Sequence, residues 1–225
     1  MLAYSHNDSS RLRPLFEALE FGFDCIEADV YAVERELLIG HDREVLSPER
    51  TLASHYLRPL AESNDRPMWL VIDAKEDGPA VYEAFKRALD RFPSLRESSI
   101  RFLLSGERPA DLIARDGGEW AGIDGRWVDL DNAYPADLMP WVSADWTSCF
   151  AWPGEGSFPD EERTRLESMV GLIHGQGRKL RFWGDPDTPA AWQVLWESGV
   201  DIIGTDHLGE LQAWMPSRRA CQSEG

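Results

Sequence analysis

Apolar and polar positions along the chain follow two alternating periods. Period-two segments or short apolar runs fall at residues 2–6, 24–31, 68–75, 100–105, 120–124, 141–145, 180–184 and 201–205, the pattern expected of strands. Between them, residues 12–21, 51–62, 79–92, 108–115, 160–174, 189–198 and 208–214 show helical spacing. Residues 128–140, rich in Asp and Pro, read mostly as loop. Strands alternating with helices predict a parallel sheet. Eight such units in 225 residues predict an α/β fold of the compact (β/α)8 TIM-barrel class, for which about 200 residues is a practical minimum. An open doubly wound sheet is the runner-up. No repeat, low-complexity tract or linker interrupts the pattern, so residues 1–225 are expected to form one domain.

Some boundaries carry their own chemistry. Asp160, Glu161 and Glu162 after Pro159 place acids in a first helical turn, and Gly175 after His174 is expected as the glycine that ends that helix. Thr188 is an expected N-cap with Pro189 in the first turn.

Composition confirms a globular chain, with 43% hydrophobic and 28% charged residues. Charge says more: 23 Lys and Arg against 40 Asp and Glu leave a net of -17. This argues against generic binding to nucleic acid or an anionic membrane, so an anionic substrate has to be captured locally. Residues 1–10 lack a basic-then-apolar leader, and the longest apolar run, residues 68–72, is too short to span a bilayer. A soluble, cytoplasmic protein is expected, without a nucleic-acid partner or membrane insertion. Cys25, Cys149 and Cys221 are odd in number and lack C-x-x-C spacing, which favours reduced thiols over disulfides or zinc. Gly154-x-Gly156 and Gly175-x-Gly177 lack the third glycine of a dinucleotide loop, and no phosphate-binding G-x-x-x-x-G-K-[ST] loop occurs.

The chemistry concentrates on two strands. In residues 25–30, Ile26, Ala28 and Val30 face one way and Glu27 and Asp29 the other. The outer face of a barrel strand is covered by helices, so the two carboxylates should point inward at the C-terminal end, where barrel active sites sit. The same alternation in residues 68–75 turns Asp73 and Lys75 inward. Three acids at one mouth repel strongly unless one is protonated or a divalent cation binds. The cation is the favoured solution, and an oxygen-only set suits Mg²⁺ or Ca²⁺. A structural ion-pair layer is the plainer alternative. His6 ends the first strand and His41 follows Gly40 near the carboxylate strand. Such a pair beside a hard metal supplies an acid and a base near neutral pH.

Ser5-His6-Asn7, Glu27-x-Asp29, Gly40-His41-Asp42 and Asp73-x-Lys75 resemble the glycerophosphodiester phosphodiesterase superfamily, which includes sphingomyelinase D and phosphoinositide-specific phospholipases C. Residues 177–183, Pro186-Asp187-Thr188-Pro189, Trp192 and residues 199–206 resemble its last two βα units. His6-Asn7-Asp8, Arg50-Thr51-Leu52 and Tyr56-Leu57-x-Pro59-Leu60 are more similar to the branch named for altered inheritance of mitochondria protein 6. The resemblance implies that Glu27, Asp29 and Asp73 hold the metal, His6 and His41 form the acid/base pair, and Lys75 binds phosphate. Trp183 matches an aromatic at the active-site rim. Asn7 stands where glycerol-specific members usually carry an arginine, and is expected with Lys75 and Trp183 to bind substrate. Asp73 stands where those enzymes often have Glu, as in sphingomyelinase D.

The implied activity is metal-dependent cleavage of a glycerophosphodiester- or phospholipid-like diester, by hydrolysis or through a cyclic phosphate. Two other classes fit the residues: a barrel lyase or aldolase working through an enolate, and a barrel that binds a phospholigand without turnover. Other candidates have plainer readings. Trp127, Trp141, Trp146 and Trp152 read as packing, as do Trp192 and Trp196 four residues apart on a helix. His55 and His174 read as surface or capping groups, His207 as marginal, and Asp206 as a turn residue or an orienting group. Cys25 reads as packing, and Arg178, Lys179 and Arg181 as a solvated strand entrance.

Overall fold

A computed structural model describes residues 1–63 and 66–222. Among the described residues the strands are β1 (Leu2–Ser5), β2 (Cys25–Val33), β3 (Glu36–Ile39), β4 (Met68–Ala74), β5 (Ile100–Gly106), β6 (Gly122–Gly125), β7 (Trp141–Asp145), β8 (Lys179–Trp183) and β9 (Ile202–Thr205). The helices are α1 (Phe16–Glu20), α2 (Arg58–Ser63), α3 (Gly78–Leu89), α4 (Ala110–Arg115), α5 (Trp146–Cys149), α6 (Asp160–His174), α7 (Pro189–Glu197) and α8 (Leu208–Gln222). All eight expected strands form. β3 is a ninth, outside the eight expected segments. The chain divides into two compact units, His6–Asp124 and Met1–Ser5 with Gly125–Gly225.

In the first unit β2, β4 and β5 run parallel, and β5 continues onto β6 at Leu103↔Gly122 and Leu104↔Ile123. β3 folds back antiparallel on β2, with Val33 opposite Glu36. The two residues between them, Glu34 and Arg35, make the turn, and Glu34 takes the left-handed φ of 56° that such a turn more often gives to glycine. Along β4, Leu70, Val71 and Ile72 are fully buried on both faces, as a central parallel strand requires. α3 covers the sheet with Val81, Tyr82, Phe85, Ala88 and Leu89, a stripe at helical spacing. It begins at Asp77, whose side chain accepts from the Ala80 amide at 3.2 Å. The expected helix over residues 12–21 is shorter, since α1 starts only after Pro14 and Leu15. Leu15 is fully buried with φ 67°. The expected 51–62 helix appears as a π-helical turn over Ala53–Leu57 that runs into α2.

In the second unit β1 pairs with β9 and β8 with both β9 and β7, all parallel. Trp146, Phe150, Trp152, Phe158 and Phe182 stack into one aromatic cluster with centroids 4.3–6.0 Å apart. Trp141 is fully buried. Trp192 and Trp196 both meet Trp214 edge-on. These tryptophans therefore pack the interior, whereas Trp127 is exposed. Thr188 caps α7 through the Ala191 amide, with Pro189 in the first turn.

Two expectations are corrected. Gly175 keeps a helical φ of -60°, and the left-handed residue that turns the chain after α6 is Gly177 at 72°. The basic run at β8 is not a solvated entrance, because only Lys179 is exposed. Arg178 is buried and donates to the Met139 and Tyr134 carbonyls. Arg181 is buried with its guanidinium 3.9 Å from the Tyr4 ring centroid, an arrangement that replaces lost water with a π face and hydrogen bonds. Cys25 is buried and Cys149 partly exposed, neither in a disulfide among the described residues, and the Cys221 side chain lies outside those described. Among the described residues no helix is long and apolar enough to cross a membrane.

Candidate active site

The sheet register builds the site. Asp29 on β2 lies opposite Asp73 on β4, so their side chains leave the same face as neighbours, and Glu27 shares that face two residues earlier. Glu27, Asp29 and Asp73 are all buried, and a carboxylate oxygen of each lies within 4.8 Å of the others. Lys75, one residue past β4, reaches back with its Nζ 2.6 Å from Asp29 Oδ1 and 2.7 Å from Asp73 Oδ2. Burial opposes the lysine charge, but Asp73 and Asp29 outweigh it and hold Lys75 above the ordinary lysine range. The two carboxylates thus favour its ammonium form. Three carboxylates and one ammonium have a formal net charge of minus two, which one divalent cation would balance.

Asp29 Oδ1 is buried and accepts from the Lys75 ammonium at 2.6 Å. Its other oxygen accepts from Ser9 Oγ. Three carboxylates that can bring one oxygen each within 4.8 Å of the others form a set of hard oxygen ligands that fits Mg²⁺ or Ca²⁺.

The chain after β1 closes over this cluster. Asn7 adopts φ 50°, and its amide donates to Glu27 Oε2 at 3.3 Å. Its side-chain amide donates to His6 Nδ1 at 3.0 Å, so the neutral ring carries its proton on Nε2. That Nε2 lies 3.9 Å from Glu27 Oε2. The turn is fixed from below by Asp8, fully buried, whose Oδ2 accepts from the Leu15 amide at 2.6 Å and from Tyr56 Oη at 2.8 Å. Burial, then Asp8, raises the Tyr56 phenol well above its ordinary range, so it remains a donor.

The sequence-predicted residues His6, Asn7, Glu27, Asp29, Asp73 and Lys75 thus meet. His41 stands at the end of the β2–β3 hairpin, half exposed, with Nδ1 3.1 Å from Asp42 Oδ1. Its carbonyl accepts from Tyr31 Oη at 3.2 Å, and the neighbouring Gly40 amide donates to the Asp29 carbonyl at 3.1 Å. Arg43 pairs with Glu76 and lies over the Tyr31 ring, which fastens the His41 loop to the loop after β4. Trp183 ends β8 in the other unit, 42% exposed. Outside the cluster, His174 pairs with Asp201 at 2.8 Å on the surface, and the exposed Asp206 and His207 donate their backbone amides to Asp187 Oδ2 and Thr205 Oγ1, both at 2.8 Å.

Sequence reasoning missed several groups that hold the site together: Ser9, Asp8, Tyr56 and Tyr31. It also missed a buried polar pair on the adjoining strands, Ser105 donating to Asp124 Oδ2 at 2.7 Å. Tyr31 was discoverable, because it continues the Glu27, Asp29 alternation. Asp8 and Tyr56 are 48 residues apart, and nothing local couples them.

Residues 1–67 match the family model of the AIM6-like phosphodiesterase domain. Altered inheritance of mitochondria protein 6 of Eremothecium gossypii is 26% identical over 261 residues, covering 91% of this chain and 67% of that protein. The homolog from Arthroderma benhamiae is 24% identical, with 94% and 82% covered. The protein from Saccharomyces cerevisiae is 25% identical, with 96% and 70% covered. Among solved structures, a glycerophosphodiester phosphodiesterase from Parabacteroides distasonis superposes with a TM-score of 0.68 at 15% identity, covering 97% of this chain and 98% of the other. One from Agrobacterium tumefaciens gives 0.60 at 16% identity, covering 95% and 98%. The fold is thus the (β/α)8 barrel that the strand and helix pattern predicted. Along nearly its whole length the chain is similar to the altered inheritance of mitochondria protein 6 relatives, and over residues 1–67 to the AIM6-like phosphodiesterase domain.

Proposed function

We propose that the protein is a divalent-metal-dependent phosphodiesterase acting on a glycerophosphodiester- or phospholipid-like substrate. The observation that carries this reading is the convergence of Glu27, Asp29 and Asp73 within 4.8 Å beside Lys75. Glu27, Asp29 and Asp73 would hold Mg²⁺ or Ca²⁺, which supplies Lewis-acid polarisation of a phosphoryl oxygen. Lys75, held protonated by Asp73 and Asp29, adds fixed positive charge where negative charge grows in the transition state. It is already oriented by two ion pairs, so little reorganisation is needed during reaction.

His6 and His41 are the proton carriers in this scheme. Asn7 occupies His6 Nδ1, so Nε2 is the ring atom that exchanges a proton with a nucleophile or leaving oxygen. Tyr31 and Asp42 hold the backbone and ring of His41. The nucleophile is water or a hydroxyl of the substrate, the second giving a cyclic phosphate. The names of the similar proteins support diester cleavage over the enolate chemistry that the same acids could serve.

The test is hydrolysis of bis(p-nitrophenyl) phosphate by the wild type and Glu27→Ala, in EDTA and then with Mg²⁺ or Ca²⁺. Turnover should vanish with EDTA, return with the metal, and fall about a hundredfold or more in the variant. Turnover indifferent to EDTA would overturn the reading. If the generic ester is not cleaved, calorimetric titration decides the metal site: the wild type should bind the cation and Glu27→Ala should not.

A further inference from the structure

With a net charge of -17, the surface repels anions, so a cation without a carboxylate partner is worth locating. Arg11, Arg13, Arg43, Arg91 and Arg96 each lie in ion-pair range of an Asp or Glu. Arg50 pairs with no carboxylate among the described residues. Its guanidinium donates from Nη2 to the Ser9 carbonyl at 2.7 Å. Its carbonyl accepts from the Ile39 amide at 2.9 Å, and the next residue, Thr51, bridges to Leu38. The arginine is therefore anchored to β3 through its backbone, while most of its five N–H donors remain for a ligand.

Arg50 lines a pocket of about 270 Å³ together with Ser9, Ser10, Ile39, Gly40 and Val45. The pocket is coupled to the carboxylate cluster at two points. Ser9 also donates its hydroxyl to Asp29, and the Gly40 amide donates to the Asp29 carbonyl. The Arg50 charge is felt nearby as well, since His55 is held below the ordinary imidazole range first by burial and then by Arg50.

We infer that this pocket is an anion subsite of the same active site, in which Arg50 binds an oxyanion of the substrate. The Arg50 guanidinium with its remaining donors, the Ser10 hydroxyl and apolar walls at Ile39 and Val45 select a phosphate or carboxylate over a neutral or cationic group. Only the identity of the molecule that brings the anion rests on the phosphodiesterase reading. The anion is either the reacting phosphodiester or a second acidic group on one of its arms.

The first experiment is binding of inorganic phosphate to EDTA-treated protein, followed by calorimetry. The wild type should bind saturably, and Arg50→Gln should weaken binding about tenfold or more, the loss of a charge-assisted contact. Wild type that does not bind phosphate, or a folded Arg50→Gln variant with wild-type affinity, would overturn the subsite. Because the variant could lose its fold, a second measurement uses unaltered protein: phosphate should protect Arg50 from phenylglyoxal, mapped by mass spectrometry, and modification indifferent to phosphate would equally overturn it. Turnover then separates the two sources. Equal loss in Arg50→Gln on bis(p-nitrophenyl) phosphate and on a diester bearing an added phosphomonoester places the reacting phosphate in the pocket. Loss confined to the second substrate places the extra group there. Phosphate binding that depends on Arg50 without any diester cleavage would keep the subsite and remove the phosphodiesterase reading.

Discussion

His55 shows how a single residue can report on the site. It sits half-buried in the π-helical turn, its Nδ1 2.9 Å from Ser54 Oγ, with Arg50 acting on it through space. Burial and then Arg50 depress its pKa below the ordinary 6.5. A depressed imidazole favours the folded state above its unfolded value and loses that contribution as pH falls toward the folded one. His55→Gln should therefore lose less stability than wild type as pH drops below about 6.5, as urea denaturation at several pH values would record. By NMR titration the His55 midpoint should lie below 6.5, and Arg50→Gln should raise it. An unmoved midpoint would show that the arginine charge does not reach this region. At this scale the sequence was informative wherever facing is local: two-residue alternation alone put Glu27, Asp29, Asp73 and Lys75 on one face. The burial of Arg178 and Arg181 was not legible. Their partners, the Met139 and Tyr134 carbonyls and the Tyr4 ring, come from elsewhere in the chain.

At the scale of elements, the site depends on how β4 and β5 end. Gly106 closes β5 at φ 66°, and a Cβ there would lie 2.2 Å from the Ala74 carbonyl oxygen. Ala74 lies between Asp73 and Lys75, and its carbonyl accepts from the Glu107 amide at 2.8 Å. Gly106→Ala therefore combines a left-handed backbone with a steric clash and should cost about 2 kcal/mol or more, measured by urea denaturation. Cation affinity should fall with it, because the clash displaces the strand end that carries Asp73. The hairpin that delivers His41 shows the limit of reading elements from sequence. Its turn, Glu34-Arg35, lacks the Gly or Asn that marks two-residue hairpins, so nothing local signals that the apolar run of β3 pairs back on β2. α1 fell short of its periodic signal for a similar reason. The pattern of residues 12–21 is helical, but the Leu15 amide is taken by Asp8, a contact that periodicity does not encode.

For the molecule as a whole, binding of the proposed cation at the carboxylate cluster would be a stability event. A ligand that binds only the folded state stabilises it by mass action, about 2.7 kcal/mol at a hundredfold excess over Kd. Added Mg²⁺ or Ca²⁺ should raise the thermal midpoint of the wild type, and Asp29→Asn should abolish that rise. An equal rise in both proteins would assign the effect to general screening of the surface charge. The proposed chemical groups other than Trp183, from His6 to Lys75 and with Arg50 among them, occupy one unbroken stretch near the start of the chain, within the His6–Asp124 unit. A single recombination point after that stretch would pass the entire set to a descendant intact. The remaining two thirds of the barrel are then free to diverge, so new substrate arms can be explored without reinventing the chemistry.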